Sequence, residues 1–402
     1  MTQYPDDFIA RIPKTDLHVH LDGSLRLPTL IDIAKEEKID LPSYTTDGLN
    51  ELVFKADYAN LDEYLRGFGL TNKVMQRTEY LQQIAYELAM DNFAEGVRHL
   101  EVRFAPQLHM SEELSFLQVM QAVNDGLKRA RDEINRSISD DEPEFDYGII
   151  VIAMRFFAPN FSRFYQAFSE VHRYSTSDEI IQLASSELAR ATVRLRNETD
   201  IQVVAFDLAG SEYGYPAGDH REAFDYVHRH FLNKTVHAGE AYGPESIFQA
   251  ITVLHADRLG HGLRLFDPTH IRDEAITDRE RYIHQLVNYI AENRTTIEVC
   301  ITSNMQTSPD LETVADHSLG KMLENKLSVS LCTDNRLVSH TSVTKEINLA
   351  IGTFPVTPNQ LKDITIYGFK RSFSYKPYQE KRRYVRKVIN YYEKLEKEFG
   401  IV

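Results

Sequence analysis

The chain has 402 residues, 42% of them hydrophobic, enough for a large core, and a net charge of −15. That charge argues against a nucleic-acid ligand, which needs a basic surface, and no apolar stretch reaches the length of a membrane span. Residues 1–14 carry Asp6 and Asp7 and no long apolar run, so they do not read as a secretory signal, and two cysteines, Cys300 and Cys332, cannot build a disulfide framework; a reducing, cytoplasmic setting is expected.

Short β-branched runs alternate with longer amphipathic stretches along the chain, the pattern of a parallel sheet with helical crossovers. Eight strands are predicted, at 16–20, 97–104, 147–154, 201–207, 234–237, 258–260, 296–302 and 327–333. Leu61, Tyr64, Leu65 and Phe68 share one helical face after the first strand, and Leu81, Ile84, Ala85 and Leu88 share another before the second. Residues 107–144, with Asp140-Asp141-Glu142, exceed what a minimal barrel needs and read as a helix followed by an exposed loop. The tail from Tyr378, dense in Lys, Arg and Glu with tyrosines at helical spacing, reads as a solvated terminal helix on the barrel. Eight strands, several of them almost wholly apolar, favour an α/β fold of the (β/α)8 TIM type, a single domain over 1–402 with helical insertions and a C-terminal helical extension. The glycine fingerprint of a dinucleotide fold is missing after the first strand.

Chemistry-bearing residues follow the strands. His18 and His20 are two apart on a strand, so both imidazoles point to one face. His228 and His230 have the same spacing, but the stretch 224–231 reads as a helix, where the two rings diverge. His237, His261 and Asp334 end three further strands, and His18, His20, His237 and Asp334 make a three-imidazole, one-carboxylate set that suits zinc. A two-metal site would usually bridge its ions through a lysine at the end of the fourth strand, and Val203-Val204-Ala205-Phe206-Asp207 has none, so one ion is expected. His261 is placed to take a proton from water or to hold an anion. Glu240, three residues beyond His237, is placed to face a ligand, where burial would keep its carboxyl protonated as a general acid.

Taken in order, Asp16-Leu17-His18-Val19-His20-Leu21-Asp22-Gly23, Asp207-Leu208-Ala209-Gly210, His237-Ala238-Gly239-Glu240, Gly260-His261-Gly262, Ser303-Asn304 and Thr333-Asp334 resemble the adenosine deaminase family of metal-dependent amidohydrolases. The resemblance implies hydrolytic removal of the 6-amino group of adenosine or deoxyadenosine, one Zn²⁺ per chain on His18, His20, His237 and Asp334, and catalysis by Glu240, His261 and Asp334. It implies that Glu240 protonates purine N1 and that His261 serves as general base or electrostatic anchor. The substrate is expected to meet His20, Asp22, Gly210 and Asn335, with Asp22 accepting from a ribose hydroxyl and the Gly210 amide donating to the ring. Asn335 stands where many members carry a second aspartate, and Ser211 where an acidic residue is frequent; an asparagine amide always carries donors for purine N7. Cysteine-ligated base deaminases are excluded, because no Cys-x-x-Cys occurs. The alternatives are a sister enzyme acting on adenine, an N6-substituted purine nucleotide or an aminodeoxyfutalosine-like nucleoside, and a catalytically silent binding protein, which would be expected to have lost a ligand or the acid.

Overall fold

The computed structural model describes residues 4–59 and 61–401. Eight parallel strands follow one another around a barrel in chain order: β1 Lys14–His20, β2 Val97–Phe104, β3 Asp146–Met154, β4 Val203–Ala209, β5 Asn233–Ala238, β6 Arg258–His261, β7 Thr296–Val299 and β8 Val329–Leu331. This is a (β/α)8 barrel, with the long helices Pro358–Arg371 and Tyr378–Glu398 added at the C-terminus. β8 returns to β1 through a parallel bridge between Val19 and Asp334. Two backbone bonds of 2.7 Å secure that seam, His20 N–H to Asp334 O and Asp334 N–H to His18 O. Asp16 adds to it by accepting from the Thr333 amide and hydroxyl.

Every residue of β2, β4, β6, β7 and β8 is buried, apolar and polar alike, since helices cover the outside and other side chains fill the inside. The filling at the barrel waist is charged. Arg103 pairs with Asp207 (2.9 Å) and Glu298 (2.8 Å), while Arg258 pairs with Glu298 (2.6 Å) and with Glu101. Removing one member of such a network leaves a buried charge alone, at a cost of about 3–5 kcal/mol.

Three sequence expectations shift. The apolar run at 296–302 is a strand only to Val299; Ile301–Thr307 is a helix, started where the Thr302 amide and hydroxyl turn to Glu346. The fourth strand runs two residues later than 201–207, placing Asp207 inside the barrel. Residues 107–144 hold the expected helix, Phe116–Ser137, followed by an exposed loop, but the helix is an ordinary crossover that buries Val119, Val123 and Leu127 and packs against the helix Thr78–Ala94 on the outer layer. Tyr64 and Phe68 line the barrel mouth from the helix Leu61–Val74; the Leu61 side chain lies outside the described residues.

Candidate active site

All the candidate residues meet at the C-terminal ends of the strands, where βα barrels build their sites. Donor atoms of His18, His20, His237 and Asp334 lie within 4.8 Å of one another. Neighbouring carboxylates orient the rings. Glu298 lies 2.9 Å from His18 Nδ1 and Asp207 lies 3.2 Å from His237 Nδ1. Accepting a proton there leaves each Nε2 lone pair aimed inward. Burial alone would raise both acids, but His237 and Arg103 hold Asp207 at about 2, and Arg103 and Arg258 hold Glu298 well below the usual range. His20 Nε2 and His237 Nε2 face each other at 3.2 Å, and Asp334 Oδ1 lies 3.3 Å from His20 Nε2. His18 Nε2 is buried and has no hydrogen-bond partner. Inward lone pairs, an orphaned imidazole nitrogen and one carboxylate fit a divalent cation.

Two of these residues sit in strained backbone. His261 (φ 67°) and Asp334 (φ 59°) adopt the left-handed region that non-glycine residues avoid, and such strain is concentrated at functional sites. Around them opens a cavity of about 1130 Å³, lined by Asp22, Gly210, Glu240 and Asn335 among others, and walled by the helix Leu61–Val74 and the segment following β3. Asp22 Oδ1 and Asn335 Oδ1 are buried without partners, and burial pushes the Asp22 carboxyl up to about 7. Asn335 Nδ2 donates to the Tyr64 hydroxyl at 2.7 Å, which commits one of its two protons. Gly23 packs so closely on Asn335 that a Cβ would lie 1.8 Å from Oδ1. Gly210 takes φ 102°, which turns its backbone toward the cavity. Burial raises the Glu240 carboxyl, against the lowering effect of His261.

The model of the adenosine deaminase family matches residues 13–391. The chain is 34% identical to adenosine deaminase 1 of Streptomyces coelicolor over 95% of its own length and 87% of the relative's. It is 33% identical to an adenosine deaminase of Mycobacterium avium over 95% of each. The chain belongs to the adenosine deaminase family. It is a hydrolytic deaminase on a metal-dependent amidohydrolase barrel. Among solved structures, an amidohydrolase from Burkholderia ambifaria with bound Zn shares the fold (TM-score 0.76, 17% identity, 98% of this chain and 94% of that one). So does an adenine deaminase from Arthrobacter aurescens (TM-score 0.71, 19% identity, 95% and 99%).

Sequence reasoning missed the deaminase's supporting residues. Glu212 is buried and accepts from the backbone amides of Gly239, Glu240, Ala241 and Tyr242 and from the Ser246 hydroxyl, so one carboxylate fixes the turn that carries Glu240. Its place two residues beyond the motif that ends at Gly210 was the available signal. A second chain of contacts reaches His261. The Leu319 amide, a fixed donor, gives its proton to His317 Nδ1 (3.0 Å). Burial lowers His317 to about 4, so it is neutral and its Nε2–H donates to Asn304 Oδ1 (3.2 Å). The Asn304 amide then donates to His261 Nδ1 (3.0 Å). This assignment of protons leaves the neutral His261 carrying its hydrogen on Nε2. Ser303-Asn304 was visible as a motif; His317 carried no signal in sequence.

His228 and His230 part company as expected, His228 stacking on His255 and His230 lying tilted against Tyr226. No helix among the described residues is long and apolar enough to cross a membrane.

Proposed function

We propose that this deaminase converts adenosine and deoxyadenosine to inosine and deoxyinosine with release of ammonia, using one Zn²⁺ held by His18, His20, His237 and Asp334. The carrying observation is the coincidence, in one cavity, of that donor set with a carboxyl raised by burial at Glu240 and an unpartnered carboxyl oxygen at Asp22. When bound, the cation supplies the Lewis acidity that makes water a nucleophile near neutral pH.

The protein's own groups do the rest. Burial favours the protonated form of Glu240, whose carboxyl delivers its proton to purine N1, so that C6 can accept the electron pair of water and later expel ammonia. Its position depends on the Glu212 clamp and on the Thr307 hydroxyl, 3.3 Å from Oε1. The tautomer set by Asn304 favours His261 as a donor that stabilises the oxygen gaining charge at C6, in preference to a base. Asp334, strained and beside His20, orients the attacking water and takes the proton it sheds; that proton leaves with the exocyclic amine as ammonia, and the new C6 hydroxyl returns its proton to Glu240. Asp22 accepts from a ribose hydroxyl, and the Gly210 amide and the remaining Asn335 proton are aimed at ring nitrogens. The chain acts as one domain, and its two free, buried cysteines agree with a reducing, cytoplasmic setting.

The test is to incubate metal-analysed protein with adenosine and follow the absorbance change to inosine. Rapid turnover with about one zinc per chain supports the reading. Zinc-loaded protein inert to adenosine overturns the substrate. One observation favours the second reading, an N6-substituted purine nucleotide: the cavity lining includes the cations Arg66, Lys73 and Arg163, which a phosphate could meet. A higher kcat/KM for the 5′-monophosphate than for the nucleoside would select it.

A further inference from the structure

The opposite end of the barrel carries a second cavity, of about 910 Å³, within the size range of small-molecule sites. Its lining includes no acidic residue, in a protein of net charge −15. Arg294 and Lys326 reach it from the loops that lead into β7 and β8, and Lys370 and Arg371 from the end of the helix Pro358–Arg371. Lys381, Arg382, Arg383 and Arg386 reach it from the helix Tyr378–Glu398.

Lys381 has a structural job, since its ammonium donates to the Lys370 and Ser372 carbonyls. No ion pair among the described residues neutralises any of the eight. Outside the cavity, ion pairs do form along this helix and its neighbour. Lys387 pairs with Glu144 at 2.7 Å, Lys394 pairs with Asp141, and across the helix pair Lys362 meets Glu393 and Glu396. Collecting cations without counter-charges costs stability through mutual repulsion, so an anionic occupant has a built-in advantage here. Two further features point to its chemistry. The helix Tyr378–Glu398 starts at Pro377 with no side chain capping its first amides, and Tyr378 and Gln379, which bear them, line the cavity. Tyr378 itself is 73% exposed at the rim, an uncovered aromatic face above a cationic floor.

The geometry points to a nucleoside polyphosphate site at the N-terminal end of the barrel, with the phosphates on Arg382, Arg383 and Arg386 and the base on Tyr378. The site is separate from the metal centre, which lies at the other ends of the same strands, and it does not depend on the substrate assignment above. The size of the cleft favours a compact ligand over a polymer, which would need a track extending beyond it.

The test is calorimetric titration of the full-length, metal-loaded protein with guanosine 5′-triphosphate at low ionic strength. Tripolyphosphate and a short single-stranded RNA are titrated in parallel. Expected are saturable binding that weakens with salt, weakening by roughly tenfold or more in the triple variant R382A/R383A/R386A, and a smaller loss in Tyr378→Ala seen with the nucleotide but not with tripolyphosphate. The three arginines are exposed, and unchanged deaminase turnover without nucleotide verifies that the variant is folded. Failure of the nucleotide to bind, or equal binding to the triple variant, overturns the site. Tripolyphosphate binding as tightly as the nucleotide overturns the role of Tyr378. Tighter binding of RNA through the same arginines replaces the small ligand with a nucleic acid.

Discussion

The waist and the mouth of the barrel are both polar and buried, yet they are finished differently. At the waist every carboxylate oxygen of Glu101, Asp207 and Glu298 has a partner, drawn from Arg103, Arg258, His18, His237, Thr235 and backbone amides. A few ångströms above, His18 Nε2, Asp22 Oδ1 and Asn335 Oδ1 have none. Unsatisfied buried polar atoms cost about 1–3 kcal/mol each, so a fold that satisfies every acceptor of one layer, leaving only the Arg103 Nε there without a partner, and opens acceptors in the next has reserved the open layer for something else. The waist is also the reason the mouth works: Asp207 and Glu298 belong to both, ion-paired below and turning imidazoles above.

The largest effects should follow from attacking the open layer. His237→Ala removes one of four donors and is expected to abolish stoichiometric metal binding and, with it, turnover; metal analysis beside an activity assay checks both. Retained metal with normal turnover would mean that the cluster is not the centre. Glu240→Gln should keep the metal and lower kcat by roughly 10²–10⁴. Because burial raises the Glu240 carboxyl, the wild-type rate should fall on the alkaline side as that proton is lost, and the variant's residual rate should lack that limb. A pH–rate profile of the two proteins reads this directly.

Glu298→Gln attacks the waist instead. Arg103 and Arg258 then face each other without the shared charge, and stability should drop by about 3–5 kcal/mol. Metal affinity should fall roughly 10- to 100-fold through the loosened His18. Denaturant unfolding and metal titration separate the two effects. Loss of stability with unchanged metal affinity would show that the two layers are independent.

How much of this was legible in the sequence follows from the same division. The mouth residues announce themselves because each comes directly after an apolar run: His18 and His20, His237, His261 and Asp334 could be collected without knowing any contact. The waist residues lie inside the runs. Arg103, Glu101 and Glu298 interrupt apolar strands and acquire meaning only when the barrel closes and brings distant strands together. His317 is invisible for the same reason, since its role is defined by the Leu319 amide on one side and Asn304 on the other. The overrun at 296–302 has a local cause. Val299-Cys300-Ile301 is equally apolar as strand or as buried helix, and hydrophobicity alone does not separate the two.

Asp22 gives a smaller test of the open layer. A hydrogen bond from a ribose hydroxyl to a carboxylate is worth roughly 1.5–3 kcal/mol, so Asp22→Ala should raise KM for adenosine roughly tenfold to a hundredfold while scarcely changing KM for adenine. Equal effects on nucleoside and base would remove the ribose from Asp22.

The finest distinction lies between two buried glutamates that are both well supplied with partners. Glu298 is surrounded by arginines and is held well below the usual carboxyl range. Glu346 receives only neutral donors, the Thr302 amide (3.2 Å) and the Thr302 and Thr341 hydroxyls, and burial carries it up to about 7. Hydrogen bonds without a countercharge do not offset desolvation of a carboxylate. A folded state that binds this proton more tightly than the unfolded chain gains stability that is complete below the unfolded value near 4.5 and is lost as pH rises through about 7. The loss amounts to roughly 3 kcal/mol at most, because each tenfold gain in proton affinity is worth about 1.4 kcal/mol. Glu346→Gln keeps the shape and removes the titration. Metal-saturated wild type should therefore lose unfolding free energy between about pH 5 and pH 8, and the variant should lose less over the same interval. Parallel pH profiles for the two proteins would show that Glu346 is ionised in the fold across that range and that neutral donors alone suffice to hold its charge.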